Sequence, residues 1–297
     1  MKSFPIQGVY VPTASPFNHE SEIYPTKVRF NIEKLNKLAL AGYVVGGSTG
    51  ETPFLSSDEK LQQWELVASA AAPGKQLIAG TGVEGVRETV ALTNRAAGMG
   101  YTAALVINPH YYKGQMMKEG AQCLYFNAVA DQAKIPIIVY NIPQNTGIDL
   151  SVEDIVRLSD HPNIVGLKES SGNVEKVKRL CGEVRNKFQI AVGSAPTFLA
   201  ALEAGAVGGI FALANAAPYS VITVWEAFRT REFEAAANWQ ERIRRPAELV
   251  TVKHGVAGLK HAMDLNGYYG GPVRLPLRPL APEARAEIDE AFASLHG

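Results

Sequence analysis

The sequence predicts an α/β fold, a (β/α)8 or TIM barrel carrying a C-terminal helical appendage. Eight short apolar runs point there: Gly8 to Val11, Tyr43 to Gly46, Gln76 to Ala79, Ala103 to Ile107, Ile135 to Tyr140, Ile164 to Lys168, Gln189 to Val192 and Gly208 to Phe211. They read as continuous rather than alternating apolar stretches, the pattern of parallel strands covered on both faces. Longer segments with helix periodicity separate them. Eight such units in about 215 residues fit a closed barrel better than an open sheet of about five to seven strands.

The helical segments inside the barrel are Glu59 to Ala71, Val86 to Met99, Met117 to Ala133, Val152 to Ser159 and Val174 to Arg185. Ser57, followed by Lys60 and Leu61, and Ser151, with Asp154 in the first turn, supply capping chemistry. After Phe211 the strand signal stops. Ser220 to Arg229, Glu232 to Arg244, Val256 to Leu265 and Pro282 to Leu295 read as helices, broken by the turn-rich stretch Asn266 to Pro279. The expected boundaries are a barrel domain over 1–214 and a helical region over 215–297.

Composition narrows the function classes. Basic and acidic residues balance at 29 each, so no net basic field draws nucleic acid or an anionic membrane. The start breaks at Pro5, and no apolar run approaches the ~20 residues of a membrane span. Cys123 and Cys181 lie far apart without C-x-x-C spacing, as free thiols in a reducing compartment do, so a cytoplasmic location is expected. The six histidines are scattered, with no H-x-x-x-H and no carboxylate cluster at ligand spacing, so no metal is expected. A G-x-S-x-G hydrolase elbow is missing as well. Gly80-Thr-Gly82-Val-Glu-Gly85 matches the dinucleotide pattern G-x-G-x-x-G but belongs to the third unit, and the next strand ends at Ile107-Asn108 without the acidic residue the fingerprint requires.

Catalytic groups of such a barrel sit where strands end and loops begin. Lys168 ends the sixth run behind four apolar or small residues, a partly desolvated setting that favours a nucleophilic amine over an ordinary solvated lysine. Tyr140 ends the fifth run on a neighbouring strand, where a phenol can shuttle protons, although an aromatic there is more often core. Gly46-Gly47-Ser48-Thr49-Gly50-Glu51 after the second run reads either as a tight turn with a helix cap or as a nest in which backbone N–H groups and two hydroxyls hold a small carboxylate.

Four stretches then carry a resemblance over essentially the whole chain: Gly47-Ser-Thr-Gly-Glu51, Tyr140-Asn-Ile-Pro143, Gly166-Leu-Lys168-Glu-Ser, and Gly205-Ala-Val-Gly-Gly-Ile210 before Asn215. Together they resemble the Schiff-base pyruvate lyases, which include dihydrodipicolinate synthase, N-acetylneuraminate lyase and 4-hydroxy-2-oxoglutarate aldolase. The resemblance implies that Lys168 forms an imine with pyruvate or another 2-oxo acid, a mechanism that requires no organic cofactor, and that Tyr140 moves protons. It implies that Thr49 relays between Tyr140 and Tyr111, with Tyr111 reaching into a neighbouring subunit's site. Ser48 and Thr49 would hold the carboxylate, Ile210 would pack on the methyl side, and the assembly would be a homotetramer built as a dimer of dimers.

The member of the family is read from the turn after Tyr140. Synthases of the family resemble an S-R-T-G there, whose arginine grips the second substrate, and neuraminate lyases usually carry a leucine; this chain has Gln144-Asn145-Thr146-Gly147. A neutral amide cannot reproduce a bidentate ion pair. Gly50 to Leu55, Pro109 to Gly114, Asn145 to Asp149 and Gly267 to Pro272 look like 4-hydroxy-2-oxoglutarate aldolase. The expected reaction is therefore cleavage of a 4-hydroxy-2-oxo acid to pyruvate and an aldehyde, with dihydrodipicolinate synthesis from aspartate semialdehyde as the alternative.

Overall fold

A computed structural model describes residues 4–185 and 187–295. In chain order it contains β1 (Gly8–Pro12), α1 (Pro25–Leu35), β2 (Gly42–Val45), α2 (Ser57–Ala70), β3 (Gln76–Gly80), α3 (Val86–Gly98), β4 (Ala103–Ile107) and α4 (Lys113–Met116). There follow α5 (Ala121–Ala130), β5 (Ile137–Asn141), α6 (Pro143–Thr146), α7 (Val152–Ser159), β6 (Ile164–Glu169), α8 (Val174–Glu183), β7 (Gln189–Val192), α9 (Phe198–Glu203) and β8 (Gly208–Ile210). Helices α10 (Pro218–Arg229), α11 (Phe233–Glu248), α12 (Gly255–Leu265) and α13 (Pro282–Phe292) close the chain. The strands form a closed barrel in the order β1 to β8. All eight expected strands are present, each end within two residues of its expected position.

Within the described residues the chain divides into two compact units, one of residues 4–7 and Leu77–Gly209, the other of Gly8–Gln76 and residues 210–295. In the first, β3 to β8 pair in parallel, each with the next. Helices α3, α5, α7 and α8 pack side by side in chain order. Helix α7 shows why: it buries Val152, Ile155 and Leu158, one stripe at helical spacing, and Ser151 caps it by accepting from the Asp154 N–H at 3.1 Å. The helix expected over Met117 to Ala133 is shorter. Gly120 adopts a left-handed φ of 74°, which no helix interior accommodates, so α5 starts at Ala121 and α4 is a separate turn.

In the second unit β1 pairs with β2 in parallel. The cap of α2 is Ser56 rather than Ser57: its hydroxyl accepts from Glu59 N while the Glu59 carboxylate accepts from Ser56 N, a reciprocal pair that satisfies two otherwise free donors. Helix α1, absent from the sequence-based expectation, buries Val28, Ile32 and Leu35. Helices α10 and α11 pack as a pair, and α13 packs on both α11 and α12.

Candidate active site

Each residue of Gly166-Leu-Lys168-Glu-Ser has its own reason to be there. A Cβ on Gly166 would lie 2.4 Å from the Gln189 carbonyl oxygen of β7 and 2.6 Å from Ile6 Cδ1, so glycine alone permits the close strand approach. Leu167 is fully buried. Successive side chains of a strand point to opposite faces, which separates Lys168 from Glu169. Glu169 turns to the helix layer, where Lys176 of α8 stands 3.3 Å from its Oε2. Lys168 therefore faces away from that layer.

Tyr140 holds the matching place on β5. The parallel register sets Tyr140 against Lys168 and Asn141 against Glu169. Lys168 Nζ stands 4.2 Å from the centroid of the Tyr140 ring. Both residues are only 4% exposed. A cation over a ring face gains ~0.5–2 kcal/mol, more as water is removed.

Behind this pair lies a polar network, buried at Asn141, Glu169 and Lys176 and open to solvent at Asp149. Asn141 Nδ2 donates to Glu169 Oε1 and Oε2 at 3.1 and 2.9 Å and reaches Asp149 Oδ1 at 2.7 Å. Lys176 Nζ donates to Asp149 Oδ1 at 2.5 Å and to the Leu150 carbonyl at 2.7 Å. Ser171 N donates to Glu169 Oε1 at 2.7 Å, and Leu150 N to Asn141 Oδ1 at 3.0 Å. A buried carboxylate demands such compensation, and here the compensation also ties the two strand ends that carry Tyr140 and Lys168.

Sequence reasoning passed over Ser170. Its hydroxyl is buried without a hydrogen-bond partner among the described residues. A Cβ on Gly193 would lie 1.9 Å from Ser170 Oγ and 3.1 Å from Lys168 Cε, so both side chains occupy the notch that this glycine leaves. The available signal was a hydroxyl two residues beyond the lysine, together with a glycine directly after β7.

Ser48, Thr49 and Ile210 belong to the other unit. Ser48–Gly50 form a single 3-10 turn, flanked by Gly46 at φ 86° and Glu51 at φ 54°. The turn uses the N–H groups of Gly50 and Glu51, which donate to Gly47 and Ser48 carbonyls at 3.0 and 3.1 Å, and does not use those of Ser48 and Thr49. Ser15 Oγ donates to the Gly50 carbonyl at 2.5 Å and Thr52 Oγ1 to that of Gly47 at 2.9 Å. Ile210 is buried at the end of β8. Beyond it Asn215 accepts from Ala14 N at 3.0 Å and donates to the Pro12 carbonyl at 2.8 Å, joining that strand exit to β1.

The remaining candidates of the first unit stand in the open. Tyr111 is 76% exposed, with its ring edge-on to Tyr112 at 5.2 Å between centroids, and its N–H donates to Glu84 Oε2 at 3.0 Å. Asn145 is exposed on α6; its neighbour Gln144 is the one that donates to the Ser170 carbonyl, at 3.0 Å. Of the dinucleotide-like glycines Gly82 has a packing reason, since a Cβ there would come within 2.4 Å of Ile107 N, whereas a Cβ on Gly85 would meet open space. Among the described residues no group of three or more His, Cys, Asp or Glu could hold a metal ion. No helix among them is long and apolar enough to cross a membrane.

The model of the dihydrodipicolinate synthetase family matches residues 5–294. The chain belongs to that family. Like other members it is a pyruvate-dependent, Schiff-base enzyme of the lyase class. Among curated relatives of this family member, a probable mitochondrial 4-hydroxy-2-oxoglutarate aldolase of Emericella nidulans is 34% identical, over 97% of the chain and 94% of the relative. A 4-hydroxy-tetrahydrodipicolinate synthase of Methanothrix thermoacetophila is 31% identical, over 97% of both chains. Among solved structures, a dihydrodipicolinate synthase of Bacillus anthracis superposes with a TM-score of 0.92 at 27% identity, over 98% of each chain. A prophage protein of the family from E. coli K12, solved in complex with pyruvate, gives 0.91 at 25% identity, again over 98% of each chain.

Proposed function

We propose that the chain is a class I aldolase that cleaves 4-hydroxy-2-oxoglutarate or a close analogue to pyruvate and glyoxylate, with Lys168 as the imine-forming residue. The observation that carries this reading is the buried juxtaposition of Lys168 and Tyr140 on adjacent strand ends. The Lys168 amine attacks the C2 ketone, and the Tyr140 phenol gives its proton to the departing hydroxyl, so that water leaves, the imine is protonated and Tyr140 is left as a phenolate. The Tyr140 oxygen takes the proton of the C4 hydroxyl as the C3–C4 bond breaks. Glyoxylate leaves, and the electron pair moves into the imine to form an enamine. Protonation at C3 and hydrolysis release pyruvate and the free amine. These steps require no metal or organic cofactor.

Ser48 and Thr49, with hydroxyls and uncommitted backbone N–H groups, hold the carboxylate next to the ketone, and Ile210 packs on the methyl side. Thr49 relays protons between Tyr140 and Tyr111. The exposure of Tyr111 suits a residue that completes a neighbouring subunit's site in a homotetramer. Asn145 offers the distal carboxylate one neutral hydrogen bond where an arginine would offer two charge-assisted ones.

The synthase reading has a specific observation in its favour, the 31% identity to the Methanothrix enzyme. The two readings part on one measurement, the ratio of specificity constants for cleavage of 4-hydroxy-2-oxoglutarate and for condensation of pyruvate with aspartate semialdehyde. The aldolase reading expects the first to dominate. A tenfold advantage of the second, ~1.4 kcal/mol of transition-state preference, would reverse the assignment.

A further inference from the structure

Glu51 ends the Gly47-Ser-Thr-Gly-Glu51 stretch, yet the reaction outlined above gives it no task. Its φ of 54° lies in the left-handed region, which a residue with a long side chain rarely enters unless its surroundings hold it there. Those surroundings are explicit. Glu51 Oε1 stands 2.6 Å from Lys260 Nζ, with the side chains 0% and 2% exposed. Glu51 Oε2 accepts from Arg274 N at 2.8 Å.

Lys260 is a residue of α12 that also donates to the Pro272 carbonyl at 2.7 Å, with its ammonium 4.4 Å from the Phe17 ring centroid. Burial pushes the Lys260 pKa down, and the Glu51 carboxylate opposes that shift. The Arg274 guanidinium lies 4.3 Å from the same ring and donates to the Phe54 carbonyl at 2.8 Å and to Glu59 Oε1 and Oε2 at 2.7 and 2.9 Å. The turn that carries Ser48 and Thr49 is thus fixed at its far end: Glu51 N donates back to the Ser48 carbonyl at 3.1 Å, while its side chain is locked to α12 and to the segment that follows it.

A buried ion pair adds little net stability over well-packed apolar residues, because desolvation of both charges offsets their attraction. What it supplies is position: with both side chains shielded from water, the Glu51 carboxylate is held against the Lys260 ammonium. We propose that Glu51 and Lys260 are positioning residues, a buried ion pair through which the C-terminal helices fix the Ser48–Gly50 turn and thereby set the grip on the carboxylate of the 2-oxo acid. The proposal rests on the reading that Ser48 and Thr49 hold that carboxylate.

The test is borohydride trapping of pyruvate on Lys168, as rate against pyruvate concentration, in the full-length protein and in Lys260→Met, Glu51→Gln and the double variant, each with its thermal midpoint recorded. The double variant removes both buried charges together and so remains available if a single change fails to fold. The expected result is a half-saturating pyruvate concentration raised about tenfold or more in every folded variant, with the limiting capture rate changed less than about threefold. Half-saturation equal to that of the unmodified protein in a folded variant overturns the proposal. Failure of all three to fold assigns the pair to folding and overturns it equally. If the unmodified protein captures no pyruvate, it is the aldolase reading itself that falls; capture in the unmodified protein with unshifted variants sinks only the positioning role.

Discussion

Asn141 Nδ2 donates to both carboxylate oxygens of Glu169, one residue beyond the register pair of Tyr140 and Lys168. Glu169→Gln keeps the shape and removes the charge that Lys176 and Asn141 both address. A loss of about 1–3 kcal/mol in urea unfolding is expected, the cost of leaving buried donors imperfectly matched. Cleavage should slow about tenfold or more with little change in KM, because the substitution disturbs the strand ends rather than the substrate's carboxylate grip. A stability loss with kcat intact would confine Glu169 to packing.

Lys168→Ala should abolish both turnover and borohydride-trapped adduct while the far-UV circular dichroism stays unchanged. Peptide mapping of the unmodified protein after trapping should place the pyruvate mass on Lys168 alone. A second lysine carrying the adduct would contradict the mechanism.

Tyr140→Phe keeps the ring under the Lys168 ammonium and deletes only the oxygen. Cleavage should fall by about 10² to 10⁴, the range of a general acid or base, with a smaller effect on pyruvate capture. A rate equal to the parent's would return Tyr140 to the hydrophobic core.

Ser170→Ala removes a buried hydroxyl that has no hydrogen-bond partner among the described residues. Thermal stability should hold or rise slightly, since an unsatisfied polar group is a cost to the fold. Activity should nevertheless drop if that hydroxyl meets the substrate. Unchanged activity would leave the hydroxyl without a use.

The Cys123 thiol is pushed up to about 12 from its ordinary 9.0, first by burial and then by the Asp154 carboxylate, against a smaller opposing effect of Arg157. The thiolate is the reactive form, so near pH 8 iodoacetamide should label Cys123 about 10³-fold more slowly than an ordinary thiol. Asp154→Asn should speed labelling only in part, because burial remains. Rapid labelling of the folded protein at pH 8 would show the thiol to be far less shielded than its contacts indicate.

The barrel was legible because its strands are short unbroken apolar runs, the pattern of parallel strands buried on both faces, and eight of them alternate with longer helical segments. Helix α1 escaped because Lys27, Arg29, Glu33 and Lys34 dominate its composition, although Val28, Ile32 and Leu35 at helical spacing and Pro25 at its first turn were available signals. Lys168 and Tyr140 were legible as strand-terminal residues, since the barrel itself determines where such residues meet. The groups that brace them were not. Asn141 finds Glu169 across 28 positions and Glu51 finds Arg274 across 223, and no local periodicity encodes a contact of that kind. Sequence alone does not separate Ser57 from Ser56, which supplies the cap, because adjacent hydroxyls differ only in which one has the extended backbone a cap requires.

Gly82 has a consequence for mutational scanning. With Ile107 N only 2.4 Å from where its Cβ would stand, even alanine collides with main chain that cannot swing aside. A saturation library should therefore show position 82 as intolerant as any substrate-contacting residue, within a motif that resembles a nucleotide fingerprint. Intolerance there reports the crossing of two backbones, and a search that scored depletion alone would rank a steric necessity among the binding residues.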